Sequence, residues 1–594
     1  MAKKIKMKSS KNIIESYLKQ DDWRVKENSS TIYSYGGLNK YINAEVSKDY
    51  YLRNIYPEHI AQAYVEGYIH LHDLGGLTLY CTGYSLKDII LKGVRGVSNI
   101  PTSSPAKHLD SILNQCANLV TVFQNEIMGA VAFNGFDTLL APFVKQDRLT
   151  YSQVKQSIQN FVFSVNSNSR AGAEPAFFNL TFDLTPPEDM LNDYCTIGGK
   201  LVSFTYGSCQ QEMDLINRVF CEVMLEGDAN GKLFSYPIPT YNIHERFDWD
   251  NPNNELLWEM AGKYGTPYFA NFINSELDIG DVRSMCCRLR LDLSELRHRN
   301  GGLFGAGDST GSIGVVTINL PRLGHEAKGS KEKFFKMLDE YLIIAKESLE
   351  IKRAWLQENI IDTNMIPAYM EYVGTLRNHF STIGIVGMNE MCENFLGKNI
   401  LDDEAHNFCL EVGDHIRNKL LEFQEETGHL YNYEATPAES TCYRLALLDK
   451  KKYPDIITQG QGTEVYYTNS CHIPVKLIKD IDSTFKHQDD LQSQFTGGTV
   501  IHCYLNGAIS GEHAKTIVRS MFTKYKVPYM SLSPISRLCD EHGYIIDIVD
   551  KCPVCKKKLK LFQRITGYLR CIDNFNKGKA SEFKDRKQLN EEEI

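Results

Sequence analysis

The stretch R-I-T-G-Y-L-R, Arg564 to Arg570, places a single glycine, Gly567, inside a short run of bulky residues near the end of a 594-residue chain. A glycine in such a run usually marks a turn. Here, however, cysteines and a histidine precede it, in the segment C-D-E-H-G-Y-I-I-D-I-V-D-K-C-P-V-C at residues 539–555. This arrangement indicates a small C-terminal module, held by a metal ion, that presents the glycine.

The upstream segment has the spacing of a structural zinc site. Cys539 and His542 form a C-x2-H pair, Cys552 and Cys555 form a C-x2-C pair, and nine residues separate the two pairs. Four thiolate and imidazole ligands match the number and type that tetrahedral zinc prefers. Because the protein supplies all four ligands, we expect this zinc to be structural and not catalytic. Cys571 is an alternative fourth ligand in place of His542, and ordinary buried cysteines are the alternative to any metal site.

Gly567 follows Cys555 by twelve residues, and chemistry at a glycine can involve only its backbone. Abstraction of the Cα–H leaves a carbon radical that is delocalised over the flanking amide groups. Without a Cβ, the radical carbon can become planar and pack closely against a partner. Such radicals belong with cofactor-type chemistry, and the metal site would then hold the segment that carries the radical.

The composition is that of a globular chain, with 42% hydrophobic and 23% charged residues. The formal net charge of −9 argues against a general nucleic-acid coat, and we find no apolar run of the roughly 18 residues that a membrane span needs. The basic N-terminus lacks the apolar region of a signal peptide. Sixteen cysteines without a secretion signal are expected to be reduced, which predicts a cytoplasmic protein.

Helical and strand patterns alternate through the middle of the chain. Residues 330–357 place apolar side chains on one helical face, with Ser330 as a plausible N-cap. The stretch S-I-G-V-V-T-I-N-L-P at 312–321 and the glycine-bounded stretch at 497–507 have the pattern of buried strands. Strands separated by long helices predict a parallel α/β architecture.

The residues around Gly567 resemble a known family. R-I-T-G-Y-L-R, followed by N-F-N-K-G-K-A-S-E-F-K-D-R at 574–586, resembles the glycyl-radical segment of anaerobic (class III) ribonucleoside-triphosphate reductases. The zinc pairs look like that family's zinc site, although His542 stands where a cysteine is common. Five further segments resemble the family in the same order, at residues 22–42, 67–86, 283–292, 311–322 and 466–475.

The resemblance implies a ten-stranded α/β barrel with a finger loop through its centre, followed by a zinc-ribbon and glycyl-radical module. The composition changes near Ser536, where paired cysteines and many lysines begin. We therefore place the catalytic barrel at residues 1–535 and the small module at 536–594. Because the matching segments begin near Asp22, we expect no N-terminal ATP-cone and no dATP off-switch of that type.

The resemblance also implies a radical mechanism. A separate activating enzyme, with an iron–sulfur cluster and S-adenosylmethionine, would install the radical on Gly567. The glycyl radical would oxidise a finger-loop cysteine to a thiyl radical. The thiyl would abstract the 3′-hydrogen of a ribonucleoside triphosphate, and the 2′-hydroxyl would leave as water to give the deoxyribonucleotide.

Two cysteines match the family's catalytic positions. In M-C-C-R, residues 285–288, Cys287 fits the thiyl position and Cys286 is the second choice. Cys81, in Y-C-T-G-Y-S-L, matches the active-site cysteine of the first barrel strand. Its proton would be needed as the 2′-hydroxyl leaves, and its thiol can be oxidised in the reduction step. By local pattern alone, these cysteines are small buried side chains.

Backbone N–H groups at a helix N-terminus can bind the substrate phosphates. Thr436, Ser440 and Thr441 precede an apolar-periodic stretch from Tyr443 and are candidate caps of a helix that holds the triphosphate. The stretch T-N-S-C-H-I-P at 468–474 is a second candidate. An ordinary helix cap is the alternative for each.

Three other polar residues invite a functional interpretation. Asn319 is either a polar active-site residue or a packed strand residue. His70 and His72 resemble a metal spacing, but they share one face of a strand without a nearby thiol pair. We therefore interpret the two histidines as structural.

The resemblance implies dNTP or ATP specificity effectors at the interface of a homodimer, and no membrane or nucleic-acid partner. It leaves the reductant open between formate and a thioredoxin-type protein, because Cys286 departs from the simplest family pattern. One alternative function is a pyruvate formate-lyase-like lyase, which the zinc pairs and the shorter chain disfavour. Another is a zinc-ribbon nucleic-acid-binding protein, which the acidic net charge disfavours.

Overall fold

The structure is a computed structural model of the whole chain. It describes residues 8–20, 25, 33–72, 74–95, 101–167, 175–274, 310–436 and 438–591, together with the backbone of Val282–Ser284 and Arg290–Asp292. None of the helices within these ranges is long and apolar enough to cross a membrane.

A mixed sheet of eleven strands organises the described residues. Ten of them form one continuous path in the order β8-β7-β6-β1-β2-β3-β4-β5-β10-β9, and the short strand Ile69–Leu71 pairs with β6 from the side. The ten strands are β1 Cys81–Tyr84, β2 Val131–Phe133, β3 Phe178–Phe182, β4 Ile238–His244, β5 Tyr268–Phe272, β6 Gly311–Asn319, β7 His379–Val386, β8 Leu430–Glu434, β9 Ile501–Leu505 and β10 Tyr529–Pro534.

The ten strands form two parallel halves. Strands β1 to β5 run parallel to one another, as do β6 to β8, while β9 runs parallel to β10. The halves meet as antiparallel pairs, at β1 with β6 and at β5 with β10. The predicted α/β class is confirmed.

The two ends of this path lie against each other. The Thr496 and Gly497 N–H groups, just before β9, donate to the Tyr433 carbonyl of β8 at 3.0 and 2.6 Å. The Ala435 N–H donates to the Gly498 carbonyl at 3.0 Å. These bonds bring the ends of the ten-strand path together, as a ten-stranded barrel requires. We call this closed set of ten strands the ring. The predicted finger loop lies outside the described residues.

Side chains alternate between the two faces of these strands, as the period of two requires. On β3, Phe178, Leu180 and Phe182 pack into the large apolar core with the surrounding helices. Asn179 and Thr181 point to the opposite face and are also buried. One face of the ring is therefore apolar and covered by helices, and the other is a polar interior.

The helices surround the ring. The long helix Lys331–Leu356 begins as predicted, because the Ser330 side chain accepts a hydrogen bond from the Lys333 N–H at 3.3 Å. The α-helices of the described residues are Ser10–Leu18, Tyr35–Tyr50, Glu58–Glu66, Leu86–Lys92, Leu109–Glu126, Phe136–Asp147, Tyr151–Val165, Gln210–Glu226, Glu255–Tyr264, Leu320–Ala327, Lys331–Leu356, Pro367–Tyr372, Met388–Leu396, Asp403–Thr427, Glu439–Lys452, Ile481–Ser493, Gly511–Lys524 and Lys577–Asp585.

A separate antiparallel sheet begins directly after β10. Its strands are β11 Ser536–Cys539, β12 Gly543–Ile545, β13 Lys560–Arg564 and β14 Leu569–Cys571, in the order β12-β11-β13-β14. Two shorter hairpins complete the described strands, Tyr194–Ile197 with Lys200–Thr205 and Val282–Ser284 with Arg290–Asp292.

A fully buried ion pair fixes the helix Glu439–Lys452 against the end of β6. The Arg322 guanidinium bonds to the Asp449 carboxylate, and neither side chain is exposed. Asp449 also accepts hydrogen bonds from the Asn319 amide at 2.8 Å and the Tyr467 hydroxyl at 2.7 Å. Because a buried charge is costly without partners, this network holds the helix in one position.

We expect Arg322→Met to lower the free energy of unfolding by about 3 to 5 kcal/mol, since it leaves the Asp449 carboxylate buried without its cation. Lys331→Met is the control, because Lys331 and Glu411 form an exposed pair at 2.6 Å, which should contribute less than about 1 kcal/mol. Chemical denaturation of both variants measures the difference. Equal effects would show that the buried pair does not stabilise the fold.

Candidate active site and metal centre

The four predicted zinc ligands converge at the C-terminal sheet. The Cys539 Sγ lies 3.5 Å from the Cys555 Sγ and 3.6 Å from the His542 Nδ1, and the Cys552 Sγ also lies 3.6 Å from that nitrogen. A tetrahedral ion with bonds of about 2.3 Å to sulfur and 2.0 Å to nitrogen separates its ligands by roughly 3.5 to 3.8 Å. The four side chains therefore fit a zinc ion.

Cys571 is not part of this group. All four ligand atoms of Cys539, His542, Cys552 and Cys555 lie within 4.8 Å of one another. Cys571 ends β14 and pairs instead with Phe562 of β13. Among the described residues, His542 and not Cys571 completes the four-ligand set.

Gly567 lies at the buried end of the hairpin that joins β13 to β14. Within the hairpin, the Ile565 N–H donates to the Tyr568 carbonyl at 3.1 Å. The Gly567 carbonyl accepts a hydrogen bond from the Tyr268 hydroxyl of β5 at 2.5 Å and a longer one from the Arg564 guanidinium at 3.4 Å. The backbone of the glycine is thus fixed against strand β5.

Two arginines secure the rest of the hairpin. The Arg564 guanidinium lies 4.0 Å from the centre of the Tyr268 ring and donates to the Thr266 carbonyl at 2.8 Å. Arg586, after the last helix, donates to the Arg564 carbonyl at 2.8 Å and the Ile565 carbonyl at 3.0 Å. The chain on either side of the glycine is therefore tied to both the ring and the C-terminus.

Arg586 is in turn held by an ion pair with Glu582 at 2.9 Å, and both side chains are buried. Burial alone would raise the pKa of Glu582, but the charges of Lys579 and Arg586 lower it below its ordinary value. Glu582 is therefore ionised at neutral pH and can balance the two cations.

The sequence analysis missed Glu439, the first residue of the helix Glu439–Lys452. Its carboxylate accepts from the Tyr568 hydroxyl at 2.5 Å and from the Arg570 guanidinium at 3.2 Å. Burial, followed by the charge of Glu439, holds the pKa of Tyr568 well above its usual range, so this hydroxyl stays protonated. A carboxylate thus stands beside the glycine hairpin, and the only signal in the sequence was its place next to the predicted cap residues.

Cys81 reaches the same region from β1. Its thiol is buried and accepts a hydrogen bond from the Ala130 N–H at 3.2 Å. It belongs to a small cluster that packs against Phe177, and the Phe177 ring lies 6.2 Å from the ring of Tyr568. Phe177 therefore contacts the cluster that contains Cys81 and lies near the Tyr568 ring of the glycine hairpin.

Cys287 and Cys286 lie outside the described residues. The paired strands Val282–Ser284 and Arg290–Asp292 flank them, with Ser284 opposite Arg290.

The predicted helix cap is wrong in its details. The helix begins at Glu439, earlier than expected, and its N-cap residue Ala438 supplies no side-chain hydrogen bond. Ser440 and Thr441 lie inside the first turn, while the Thr436 hydroxyl bonds to that of Thr317 at 3.2 Å. A carboxylate at the first helical position is favoured by the helix dipole, which accounts for the earlier start.

The second candidate segment, 468–474, faces the glycine hairpin across a cavity. Glu390 holds its first residue, accepting from the Thr468 N–H at 3.0 Å and from the Thr468 hydroxyl at 2.7 Å. The cavity lining includes Thr468, Asn469, His472, His502, Thr566 and Glu582. Polar groups from this segment and from the hairpin thus border one space.

His70, His72 and Asn319 have structural partners. The His72 ring bonds to the Thr317 hydroxyl at 2.8 Å, and burial, with nearby Lys352 and Arg444, lowers its pKa to about 3. The Asn319 amide donates to the Gly67 carbonyl at 2.7 Å as well as to Asp449. These contacts agree with the structural interpretation of the histidines and favour a packed role for Asn319.

The interior of the ring contains polar atoms that are ready to bind a ligand. Buried atoms without a hydrogen-bond partner among the described residues include the Asn179 Oδ1, the Thr181 Oγ1, the Ser533 Oγ and both amide atoms of Asn432. Buried polar groups are normally paired because leaving them unpaired is costly. These atoms are therefore candidates for binding a ligand.

Comparison with known proteins identifies the family. The chain belongs to the anaerobic ribonucleoside-triphosphate reductase family, whose sequence model matches residues 27–589. The Escherichia coli anaerobic ribonucleoside-triphosphate reductase is 25% identical over 587 residues, covering 91% of this chain and 80% of the relative. The enzyme of that name from Enterobacteria phage T4 is 23% identical, covering 71% and 72%.

Solved structures agree on the fold. The anaerobic ribonucleotide reductase from Thermotoga maritima, in complex with dATP and CTP, has a TM-score of 0.75 at 20% identity, covering 98% of this chain and all of that one. Another anaerobic ribonucleotide reductase has a TM-score of 0.78 at 22% identity, covering 94% and 90%. The family and the fold both favour the reductase over the lyase alternative.

We expect Cys552→Ser to reduce bound zinc from about one ion per chain to a small fraction, because structural zinc needs four ligands. Cys571→Ser is the matched control, a cysteine of the same sheet outside the ligand group, and should keep its zinc. Metal analysis of the purified variants measures the difference. Loss of zinc from Cys571→Ser alone would reassign the fourth ligand.

Proposed function

We propose that this protein reduces ribonucleoside triphosphates to 2′-deoxyribonucleoside triphosphates under anaerobic conditions, through a radical stored on Gly567. The single observation that carries the proposal is the buried Gly567 backbone, whose carbonyl accepts a hydrogen bond from the Tyr268 hydroxyl of β5. A buried glycine held in this way is suited to carry a backbone radical and has no side chain that could serve another chemistry.

The roles of the cysteines follow from the balance of the reaction. A hydrogen atom passes from the Cys287 thiol to the Gly567 Cα, so that an S–H bond breaks, a C–H bond forms and a thiyl radical remains. The thiyl takes the 3′-hydrogen of the ribose, and the Cys81 thiol supplies the proton with which the 2′-hydroxyl leaves as water. Two electrons and the hydrogen that replaces the hydroxyl at C2′ come from the external reductant, either formate oxidised to carbon dioxide or a dithiol protein oxidised to its disulfide. The Cys287 S–H then returns the hydrogen atom to C3′, which regenerates the thiyl radical, and solvent reprotonates Cys81.

The substrate phosphates are proposed to bind between the helix Glu439–Lys452 and the segment 468–474. The N-cap residue of that helix, Ala438, supplies no side-chain hydrogen bond, and the first turn contains Ser440 and Thr441. Helix N-termini of this kind bind anions through their N–H groups and dipole. Thr436 borders the same end of the helix. This arrangement would place the ribose over the polar interior of the ring.

The zinc site is proposed to support the radical segment structurally. Cys539, His542, Cys552 and Cys555 would hold the ion, which neutralises the thiolates and locks β11 to the loop that leads into β13. A closed site of four protein ligands leaves no position for substrate. Two of the neighbouring lysines form ion pairs, Lys557 with Glu541 and Lys560 with Asp540 at 2.8 Å.

Further partners are proposed from the family. An activating enzyme with an iron–sulfur cluster and S-adenosylmethionine would generate the radical. One Thermotoga maritima structure holds dATP in its specificity site, and we propose dNTP or ATP effectors at a homodimer interface for this chain. We also propose a cytoplasmic location and a division into a catalytic domain, 1–535, and a zinc and radical module, 536–594, which the separate sheet from Ser536 supports.

Gly567→Ala should abolish both the radical and turnover while leaving the fold intact. Wild-type protein, activated anaerobically, should show a doublet in electron paramagnetic resonance, because one α-hydrogen remains on the radical carbon. Protein labelled with α-deuterated glycine is the control, in which the doublet should collapse. Deoxynucleotide formation by Gly567→Ala would contradict the proposed mechanism.

Cys287→Ser should keep the glycyl doublet but lose turnover by at least about a thousandfold, because a serine hydroxyl does not replace a thiyl radical. Cys286→Ser is the matched control, changed at the adjacent position, and should remain active with at least one reductant. Product formation from a radiolabelled ribonucleotide measures both variants. An active Cys287→Ser with an inactive Cys286→Ser would move the thiyl to Cys286.

A further inference from the structure

We infer that Tyr268 is a positioning residue of the radical site, whose hydroxyl stabilises the radical on Gly567 through the glycine carbonyl. The inference rests on the proposed function, because it concerns the same glycine. It adds a residue that is distant in sequence and that the motifs around Gly567 do not include.

The Tyr268 hydroxyl points at the carbonyl oxygen of Gly567. Tyr268 is the first residue of β5, its side chain is buried, and its hydroxyl donates to the Gly567 carbonyl oxygen at 2.5 Å. The ring is held by stacking on Tyr529, with centroids 5.2 Å apart and planes 17° apart. The Arg564 guanidinium lies 4.0 Å from the ring centre. The aromatic ring of Tyr268 is therefore held in place independently of the hydrogen bond that its hydroxyl donates.

Tyr268 is the stronger of the two donors to this carbonyl. The Arg564 guanidinium approaches the same oxygen only at 3.4 Å, and it also serves the Gly265 and Thr266 carbonyls. Hydrogen bonds weaken as they lengthen, and the shorter bonds of this guanidinium go to the other two carbonyls. Removing the Tyr268 hydroxyl would therefore leave the Gly567 carbonyl with a single long contact.

This bond acts on the radical electronically. A radical at the Gly567 Cα is delocalised between the amide nitrogen, which gives electron density, and the carbonyl, which withdraws it. A donor on the carbonyl oxygen increases that withdrawal and moves spin density away from the Cα. The effect is enlarged in a buried site, where hydrogen bonds are electrostatically stronger than in water. The stored radical becomes more stable, which suits a species that must wait for substrate.

The same bond also orients the glycine. Arg586 fixes the carbonyls of Arg564 and Ile565, and Tyr268 fixes that of Gly567, so three of the four peptide planes that begin at residues 564–567 are anchored. Hydrogen-atom transfer requires the donor and acceptor in near contact, and small displacements reduce its rate strongly. Tyr268 therefore contributes both to the lifetime of the radical and to its alignment.

The test is Tyr268→Phe, which keeps the ring and removes only the hydroxyl. Tyr529→Phe is the matched control, because Tyr529 is equally buried in the same stack but its hydroxyl bonds to Thr240 at 2.5 Å. In Tyr268→Phe we expect a larger α-hydrogen splitting of the glycyl doublet. We also expect a radical lifetime shorter by roughly three- to tenfold, the factor that one ordinary hydrogen bond supports. Tyr529→Phe should match wild type in both.

Hydrogen exchange tests the inference even if Tyr268→Phe accepts no radical. Before activation, hydrogen exchange of the peptide containing residues 564–570 should be faster in Tyr268→Phe than in wild type and Tyr529→Phe. Unchanged splitting and lifetime in an activated variant would overturn the inference, as would unchanged exchange in a variant that accepts no radical. Equal changes in Tyr529→Phe would also overturn it, by assigning the effect to the stack.

The outcomes separate this inference from the proposed function. If activated wild-type protein shows no doublet that depends on Gly567, the radical site itself is wrong, and the inference falls with it. If that doublet is present and Tyr268→Phe behaves as wild type, the proposed function stands and only the inference fails.

Discussion

Burial of the hairpin around Gly567 is the constraint on which the rest of the site depends. A buried backbone carbonyl must find a hydrogen-bond donor, and a hairpin tip has no neighbouring strand to supply one. Here side chains supply the donors: Tyr268 to Gly567, and Arg586 to Arg564 and Ile565. A glycine radical segment can therefore enter a protein interior only where such donors are built around it.

These donors have a cost that the surroundings must offset. Taking an arginine out of water is expensive unless an anion and further acceptors accompany it. Arg586 has Glu582, and Arg570 has Glu439, which begins the helix that Arg322 and Asp449 fix against β6. Arg570 and Arg586 are thus each matched by a carboxylate on a helix, whereas Arg564 bonds to backbone carbonyls and lies over the Tyr268 ring. The ion pairs connect the radical segment to the helix proposed to bind the substrate phosphates.

The sequence predicted those features that depend on residues close together in the chain. The Ser330 cap, the alternation of strands and helices, and the four zinc ligands are set by residues close together in the chain, and all agree with the structure. Tyr268 and Glu439 could not be found this way, because they meet the hairpin across 299 and 129 residues. The predicted start of the helix was wrong for a related reason. Serine and threonine are common caps, but the helix begins at Glu439, whose carboxylate bonds to the distant Tyr568.

Strand pairing joins the four proposed zinc ligands to the proposed radical segment. Cys539 ends β11, and β11 pairs with β13 through Leu538 opposite Lys560 and Ser536 opposite Phe562. Strand β13 leads directly into the hairpin, so the depth of Gly567 in the ring is set by how β11 is anchored. β11 follows β10 of the ring after one residue, and the zinc ion would hold its other end. A four-stranded sheet with so small a core needs that ion to be rigid, and the rigidity is passed to the glycine through two strand pairings.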